Sequence, residues 1–360
     1  MTESDIDDIL LKICSLRHSD EVNKFSFAES DCLLIAQRAA SQGVAAWALN
    51  QLNLFYTDNE SLVPLRQSLK GLSLASLADS QRKCSVFFKI VKILSDSEIR
   101  VSALKGIAMM MGYYPDISFR TVGDIDLLVA HADAYRAHSI LLQHFPQEMR
   151  HKARTNILSE TIRTHLPGLM IDDVLVELHY NIYSADNSKR LKDGFEQHIK
   201  TFGEGERAFS AFDEPLMLYH LATHAVKSRR QKGLRLNWLT DFFAILNVEP
   251  EMAADFCANA LKINEKANKD IVGFLQRVVS LLPENISSAI CKNLNISEII
   301  LDKAYLLNTH EGTKTGRFRK VRALNSIIRG MSRELKKQKG LSAKWHHLKD
   351  MLHDIATRKR

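Results

Sequence analysis

Residues Val101 to Val129 read VSALKGIAMMMGYYPDISFRTVGDIDLLV. The last seven of them, GDIDLLV, predict a glycine turn followed by a buried strand, because isoleucine, leucine and valine dominate the run. Side chains alternate across a strand, so Asp124 and Asp126 share one face while Ile125 points into the core. The sequence therefore predicts two neighbouring carboxylates at the start of a core strand.

This carboxylate pair predicts a metal site. Two carboxylates so close repel each other, and each raises the pKa of the other unless a cation lies between them. Mg²⁺, or Mn²⁺ in its place, is the natural candidate, since a hard ion prefers carboxylate oxygen and keeps room for substrate phosphates. The alternative is a surface strand with two solvated aspartates, but the run Leu127-Leu128-Val129 indicates burial on both faces.

The residues before the pair predict a phosphate-binding turn. Ile99 to Leu104 is typical of a short strand that ends at Lys105-Gly106, and the apolar residues that follow have the length of one or two helical turns. A helix start exposes backbone N–H groups that can hold phosphate, and Lys105 adds a positive charge beside them. Lys105 and Gly106 are therefore candidate nucleotide-binding residues.

The order of these motifs resembles the nucleotidyltransferase superfamily with the DNA polymerase beta-like fold, whose signature is a glycine turn opening a helix and then Asp-x-Asp on the next strand. More narrowly, the chain is similar to a bacterial branch described as uncharacterised nucleotidyltransferases. The shared motifs are, in this order, Leu104-Lys105-Gly106, Tyr114-Pro115, Arg120 and Asp124 to Val129.

The resemblance implies an activity, namely transfer of a nucleoside monophosphate from an NTP such as ATP to an acceptor hydroxyl with release of pyrophosphate. It implies that Asp124 and Asp126 hold two Mg²⁺ ions, and that Lys105 and Arg120 neutralise phosphate charge. One position departs from the superfamily, which commonly has Gly-Ser at the turn where this chain has Ile107. Phosphate contacts would then rest on backbone N–H groups, Lys105 and Arg120.

The superfamily also requires a third carboxylate on a strand next to the Asp-x-Asp strand, as a base toward the acceptor hydroxyl or as a further metal ligand. Residues 162–171 and 174–182 are strand-like runs separated by the turn residues Asp172-Asp173. In the second run, Glu177 and His179 share one face. Glu177 is the candidate catalytic and metal-binding residue, and His179 a candidate nucleotide-binding residue. The alternative is an exposed glutamate beside a structural histidine.

The remaining patterns are helical, so the predicted fold class is α+β, with a small mixed nucleotidyltransferase sheet flanked by N-terminal and C-terminal helical regions. The predicted domains are an N-terminal helical region (1–98), the nucleotidyltransferase core (99–205), a helical domain (206–310) and basic C-terminal helices (311–360). His220 and His224 lie at i and i+4 on one helix, but without His-Glu-x-x-His they are expected to be core or pocket residues.

Charge is distributed unevenly along the chain. The formal net charge is +7, yet residues 311–360 alone hold fifteen Lys or Arg against four acidic residues. This segment predicts either a polyanionic partner, such as RNA, or a well-solvated helical face. The five cysteines are scattered and lack any Cys-x-x-Cys, the start of the chain is acidic, and no apolar run could span a membrane. We expect a cytoplasmic protein.

A second hypothesis belongs to a different class: a catalytically inactive protein that keeps the nucleotidyltransferase fold and docks its basic tail on RNA or another polyanion. Ile107 favours this hypothesis, and the three acids at the expected places oppose it. Within the enzyme hypothesis, the acceptor is a protein, an RNA end or a small molecule, and the sequence leaves the choice open.

Overall fold

Two hydrophobic patterns divide the chain, helical spacing up to residue 98 and short apolar runs after it. The computed structural model describes residues 1–16, 19–145, 164–182, 198–231, 234–248 and 265–296. Within these residues, a six-stranded mixed sheet packs among helices. This architecture confirms the predicted α+β fold class.

The helices before the sheet follow the apolar spacing of the sequence, and the first begins with a capping box between Thr2 and Asp5. The helices are α1 (Glu3–Cys14), α2 (Glu29–Ser41), α3 (Ala45–Phe55), α4 (Val63–Asp96), α5 (Lys105–Gly112), α6 (Ala134–His144), α7 (Glu214–Gln231), α8 (Leu236–Val248), α9 (Glu265–Val278) and α10 (Glu284–Leu294).

The strands are short, and the two that carry the predicted site are neighbours in the interior of the sheet. They are β1 (Val101–Ala103), β2 (Asp124–Val129), β3 (Leu169–Ile171), β4 (Val174–His179), β5 (Ile199–Phe202) and β6 (Phe209–Phe212). The spatial order is β3-β4-β2-β1-β6-β5. β2 runs parallel to β4 and antiparallel to β1, while β1 runs parallel to β6.

The register between β2 and β4 decides which side chains meet. Asp124 lies opposite Leu175, and Asp126 lies opposite Glu177. Side chains of paired residues project to the same face of a sheet, so the second aspartate and the glutamate are neighbours. Ile125 and Val176, one residue earlier on each strand, are buried in the core beneath them.

The longest helix, α4, supports the segment that leads into β2. Its Ser76 hydroxyl donates to the carbonyl of Ser118 over 2.8 Å. Further along, the buried ammonium of Lys83 donates to the carbonyl of Val122 and to the carboxylate of Asp79. These bonds satisfy backbone carbonyls that would otherwise be buried without partners, and they fix the path of the chain just before the site.

The hairpin between β3 and β4 has the predicted turn. Asp172 and Asp173 have φ angles of 48° and 59°, which is the left-handed region that the two central residues of a type I′ turn occupy. Aspartate tolerates this region better than most residues. The turn thereby places β4 in register with β3 and, through β4, aligns Glu177 with β2.

The pair β5 and β6 is not indicated by the sequence pattern, because four-residue strands with exposed polar positions are too short to reveal alternation. Since β6 pairs with β1, the sheet continues past residue 205, where the predicted core ends. The division into four domains stays a prediction, and its last segment, residues 311–360, lies outside the described residues.

Among the helices that the structure describes, none combines the length and apolar character that crossing a bilayer requires. Cys14, Cys32, Cys84 and Cys291 are free thiols. The fifth cysteine, Cys257, lies outside the described residues.

Candidate active site and metal centre

The turn after β1 brings a cation and a helix start to the edge of β2. Lys105, the first residue of α5, has a φ angle of 46°, a conformation that a residue with a Cβ atom adopts at a cost. The N–H of Leu104 donates to the carbonyl of Asp126 over 3.0 Å, so the turn is tied directly to the strand. A Cβ atom at Gly106 would lie 3.4 Å from Cγ1 of Val122, which is an ordinary van der Waals contact.

Asp126 is the centre of the cluster. Its carboxylate is almost fully buried, and its Oδ1 accepts hydrogen bonds from Nε2 of His179 over 2.6 Å and from Nζ of Lys105 over 3.0 Å. Burial alone would raise the pKa of Asp126, but the hydrogen bond from His179 and the charge of Lys105 outweigh it and lower this pKa below its ordinary value. Asp126 is therefore ionised at neutral pH.

Asp124 lies on the same strand face, two residues earlier, and is less buried than Asp126. Burial raises its pKa, and repulsion from Asp126 adds to the effect. The sequence predicts that the two aspartates raise each other's pKa unless a cation separates them. The structure places the hydrogen bond from His179 and the cation Lys105 at Asp126, so the pKa values of the two carboxyl groups shift in opposite directions.

Glu177 meets Asp126 and two imidazoles. Its Oε2 lies 3.7 Å from Nε2 of His179 and 3.8 Å from Nε2 of His165. One ligand atom each from Asp126, Glu177 and His179 can be chosen so that all three lie within 4.8 Å of one another. This group can hold a metal ion, and its donor set of two carboxylates and one imidazole suits a divalent cation.

The group differs in membership from the predicted one. The sequence predicts Asp124, Asp126 and Glu177 as ligands and gives His179 to the nucleotide. In the described part of the chain, the ligating group contains His179 in the place of Asp124. Metal binding by Asp124 and nucleotide binding by His179 stay predictions.

Arg120 lies near the turn but is held by other groups. Its Nε donates to Oδ1 of Asp241 over 2.6 Å, its Nη2 donates to Oδ2 over 3.0 Å, and its Nη1 donates to the carbonyl of Thr121. The Tyr114 hydroxyl also donates to Asp241, over 3.0 Å. Phosphate binding by Arg120 stays a prediction, and in this arrangement the guanidinium joins α8 to the segment before β2.

His220 and His224 on α7 occupy different surroundings. His220 is buried against the ring of Phe212, and burial together with the charge of Lys105 holds its pKa well below the ordinary histidine value. The ring of His224 packs edge-on against Trp238 at 5.1 Å. Neither belongs to a candidate ligand group of three within the residues that the structure covers.

Two residues of this region escape the sequence reasoning. His165 precedes β3, and a single bridge pairs it with His179, so no alternating pattern marks it. Asp241 is the last residue of the run Trp238-Leu239-Thr240-Asp241 on α8, more than a hundred residues after Arg120. The only available signal is the presence of an acid in an otherwise apolar helix, which indicates a buried partner without identifying it.

With the strand, turn, helix and carboxylates in place, the site is that of a nucleotidyltransferase fold. A family described as "Uncharacterised nucleotidyltransferase" matches residues 28–267, which is two thirds of the chain. The chain therefore belongs to this family of uncharacterised nucleotidyltransferases, and the family supports a transferase.

Solved structures add a more distant likeness. An antigenic nucleotidyltransferase-like protein from Paracoccidioides brasiliensis is 16% identical over 52% of this chain and 91% of its own, with a TM-score of 0.33. A likeness at this level leaves the activity to be argued from the residues of this chain. No curated protein matches the sequence.

Proposed function

We propose that this protein transfers a nucleoside monophosphate from an NTP to an acceptor hydroxyl and releases pyrophosphate. The observation that carries the proposal is the register between β2 and β4, which sets Glu177 beside Asp126 next to the lysine turn. A nucleotidyltransferase requires acids on two neighbouring strands and a cation for phosphate. Membership in the family supports the same reaction class.

In this reaction the acceptor oxygen attacks the α-phosphorus of the NTP. A bond forms between that oxygen and phosphorus, the bond from the α-phosphorus to the bridging oxygen breaks, and pyrophosphate leaves with the bond electrons. Glu177 takes the proton of the acceptor hydroxyl, since its carboxylate is partly exposed beside Asp126. Until an ion is bound, His179 holds Asp126 in place through its 2.6 Å hydrogen bond.

Phosphate binding falls to Lys105 and the first N–H groups of α5. The ammonium of Lys105 is partly exposed and has one carboxylate partner in the described residues, so it can turn toward a phosphate. Ile107 is fully buried, which directs the position after Gly106 into the core and away from the substrate. Backbone N–H groups at the helix start provide the remaining contacts.

The family usually uses a divalent metal, and Asp126, Glu177 and His179, with Asp124 beside them, fit such an ion through their charge and proximity. When bound, Mg²⁺ or Mn²⁺ would neutralise phosphate charge and make the acceptor oxygen more nucleophilic. We further propose ATP or another NTP as donor and the cytoplasm as the location. The acceptor is a protein, an RNA end or a small molecule.

The proposed reaction is tested by measuring the release of pyrophosphate. Purified full-length protein is incubated with each α-labelled NTP, Mg²⁺ or Mn²⁺ and a cell extract, and both pyrophosphate release and the labelled fraction are measured. We expect label to enter one class of acceptor in parallel with pyrophosphate, and Asp126→Asn to lower the rate by at least ~10²-fold because a metal-binding charge is lost.

Asp173→Asn is the matched control, because Asp173 is exposed in the β3–β4 turn, where asparagine tolerates the same left-handed conformation. Its rate should equal that of the wild type. NTP binding without pyrophosphate release in any fraction would overturn the enzyme proposal and favour a binding protein.

A further inference from the structure

Two imidazoles face Glu177, which is more nitrogen than a magnesium site ordinarily contains. Nε2 of His179 and Nε2 of His165 lie 3.7 Å and 3.8 Å from the same carboxylate oxygen, Oε2. The two rings are 5.1 Å apart. Both histidines therefore place Nε2 beside the same oxygen of Glu177.

The orientation of His165 is fixed by its other nitrogen. Nδ1 lies 2.9 Å from the carbonyl oxygen of Leu166, and a carbonyl can only accept, so Nδ1 carries the proton and donates. In the neutral ring, Nε2 then presents a lone pair to the carboxylate of Glu177. Histidines that bind metals usually donate their second N–H to a carbonyl or carboxylate, as His165 does here.

His179 needs only a change of tautomer to bind a metal in the same way. Its Nε2 now donates to Oδ1 of Asp126, and both side chains are almost fully buried. If the proton moves to Nδ1, the Nε2 lone pair faces the two carboxylates. One atom each from Asp126, Glu177 and His179 already lie within 4.8 Å of one another.

We propose that Asp126, Glu177 and His179 form a mixed carboxylate and imidazole site, which His165 joins when an ion is bound, and that this site binds a divalent transition ion such as Mn²⁺ in preference to Mg²⁺. Mg²⁺ selects oxygen ligands and keeps its water, whereas imidazole nitrogen suits transition ions. The inference rests on the proposed function for the role of the ion, but ion binding is measured without nucleotide or acceptor.

The first experiment uses wild-type full-length protein loaded with Mn²⁺ alone. Pulsed electron paramagnetic resonance detects ¹⁴N nuclei bonded to Mn²⁺, and we expect a clear imidazole nitrogen modulation. Isothermal titration should give a dissociation constant for Mn²⁺ at least ~10-fold below that for Mg²⁺, since nitrogen ligands favour the transition ion.

The variants then assign the nitrogens. His179→Gln and His165→Gln should each reduce the nitrogen modulation and narrow the difference between the affinities for Mn²⁺ and Mg²⁺. His198→Gln is the matched control, because His198 pairs with Asp213 beside β5, the edge strand at the far end of the sheet from β4. Circular dichroism verifies that each variant is folded. The nitrogen modulation of the wild-type protein tests the site even if a variant fails to fold.

Absence of nitrogen modulation in the wild type, or equal affinities for Mn²⁺ and Mg²⁺, would overturn the inference. An unchanged modulation in His165→Gln would overturn the part assigned to His165. The two proposals fail separately. If Mn²⁺ is bound by nitrogen but no pyrophosphate is released, the proposed transfer reaction is wrong and the imidazole site stands. If Mg²⁺ supports transfer but no nitrogen binds the ion, the imidazole site is wrong and the transfer reaction stands.

Discussion

Two ion pairs lie on either side of the Gly106 turn, and they differ in their surroundings. Nζ of Lys105 lies 3.0 Å from Asp126, and the lysine side chain is 23% exposed. Nε of Arg120 lies 2.6 Å from Asp241, and these two side chains are 7% and 0% exposed. The first pair opens toward solvent, and the second is enclosed by protein.

The number of bonds sharpens this difference. The lysine makes one bond to its acid, whereas the guanidinium makes two to its acid and a third to the carbonyl of Thr121. A single flexible ammonium can exchange a carboxylate for a phosphate, while a guanidinium held on three sides positions the chain. Two basic residues of one sequence motif therefore have different roles, and their contacts distinguish them.

The largest expected effect comes from breaking the enclosed pair. Asp241→Asn leaves the Arg120 charge buried without its counter-ion, and Arg120→Met does the same to the aspartate. Either change should lower the free energy of unfolding by about 3–5 kcal/mol, as for other buried pairs that lose one partner. Urea denaturation followed by circular dichroism measures it.

A control variant and a double-mutant cycle test whether the unpaired buried charge causes the loss of stability. Arg82→Met removes a cation from an exposed pair with Asp79 and should cost less than about 1 kcal/mol. The double variant Arg120→Met/Asp241→Asn should be destabilised by less than the sum of the two single changes, because no charge is left unpaired. Additive effects would contradict a buried pair.

The next effect concerns catalysis. Glu177→Gln should lower the rate of nucleotidyl transfer by at least ~10²-fold, because glutamine keeps the shape of the side chain and cannot take a proton. Pyrophosphate release at saturating NTP measures the rate. Glu206→Gln, at an exposed glutamate before β6, is the control. Wild-type activity in Glu177→Gln would mean that another group takes the proton.

Local patterns were sufficient to predict the two central strands and the faces of their side chains. Alternation places Asp124 with Asp126, and Glu177 with His179, on shared faces. The resemblance to the superfamily supplied the expectation that an acid lies on the neighbouring strand, and the register of β4 fulfils it. These features depend on short runs of sequence, which explains why they can be predicted.

The remaining features depend on contacts between distant residues. The partner of Arg120 is 121 positions away along the chain, and no periodicity links them. His165 reaches the site through one isolated bridge, and β6 joins the sheet across a long connection. Tertiary packing decides such contacts, so the sequence pattern identifies the candidates without pairing them.

A smaller effect is expected at the half-buried pair. Lys105→Met should lower the free energy of unfolding by less than the ~3–5 kcal/mol expected for Asp241→Asn, because Lys105 is partly exposed and His179 still donates to Asp126. Lys70→Met, at an exposed position of α4, is the control for loss of a lysine charge. If Lys105→Met lowered the free energy of unfolding as much as Asp241→Asn, both ion pairs would be structural, and the proposed difference between them would be wrong.

The smallest effects separate the two aspartates themselves. The pKa of Asp126 is lowered in the folded protein, so this carboxylate contributes stability above its unfolded pKa, and the contribution is lost as pH falls through the lower folded value. The pKa of Asp124 is raised, chiefly by burial. Its contribution is present below the unfolded pKa and is lost as pH rises through the higher folded value.

Substitution by asparagine should therefore act in opposite directions at neutral pH. In the presence of a chelator, Asp124→Asn should raise the melting temperature at pH 7, because it removes a charge that the folded state disfavours, while Asp126→Asn should lower it. The difference should shrink as the pH is lowered toward the ordinary carboxyl range, where the unfolded chain and Asp124 become protonated. Melting curves from pH 7 to pH 3 measure the direction of the change in melting temperature for each variant. A loss of stability in both variants at pH 7 would show that Asp124 has a structural partner of its own, and the contrast that His179 and Lys105 together create between the two carboxylates would be wrong.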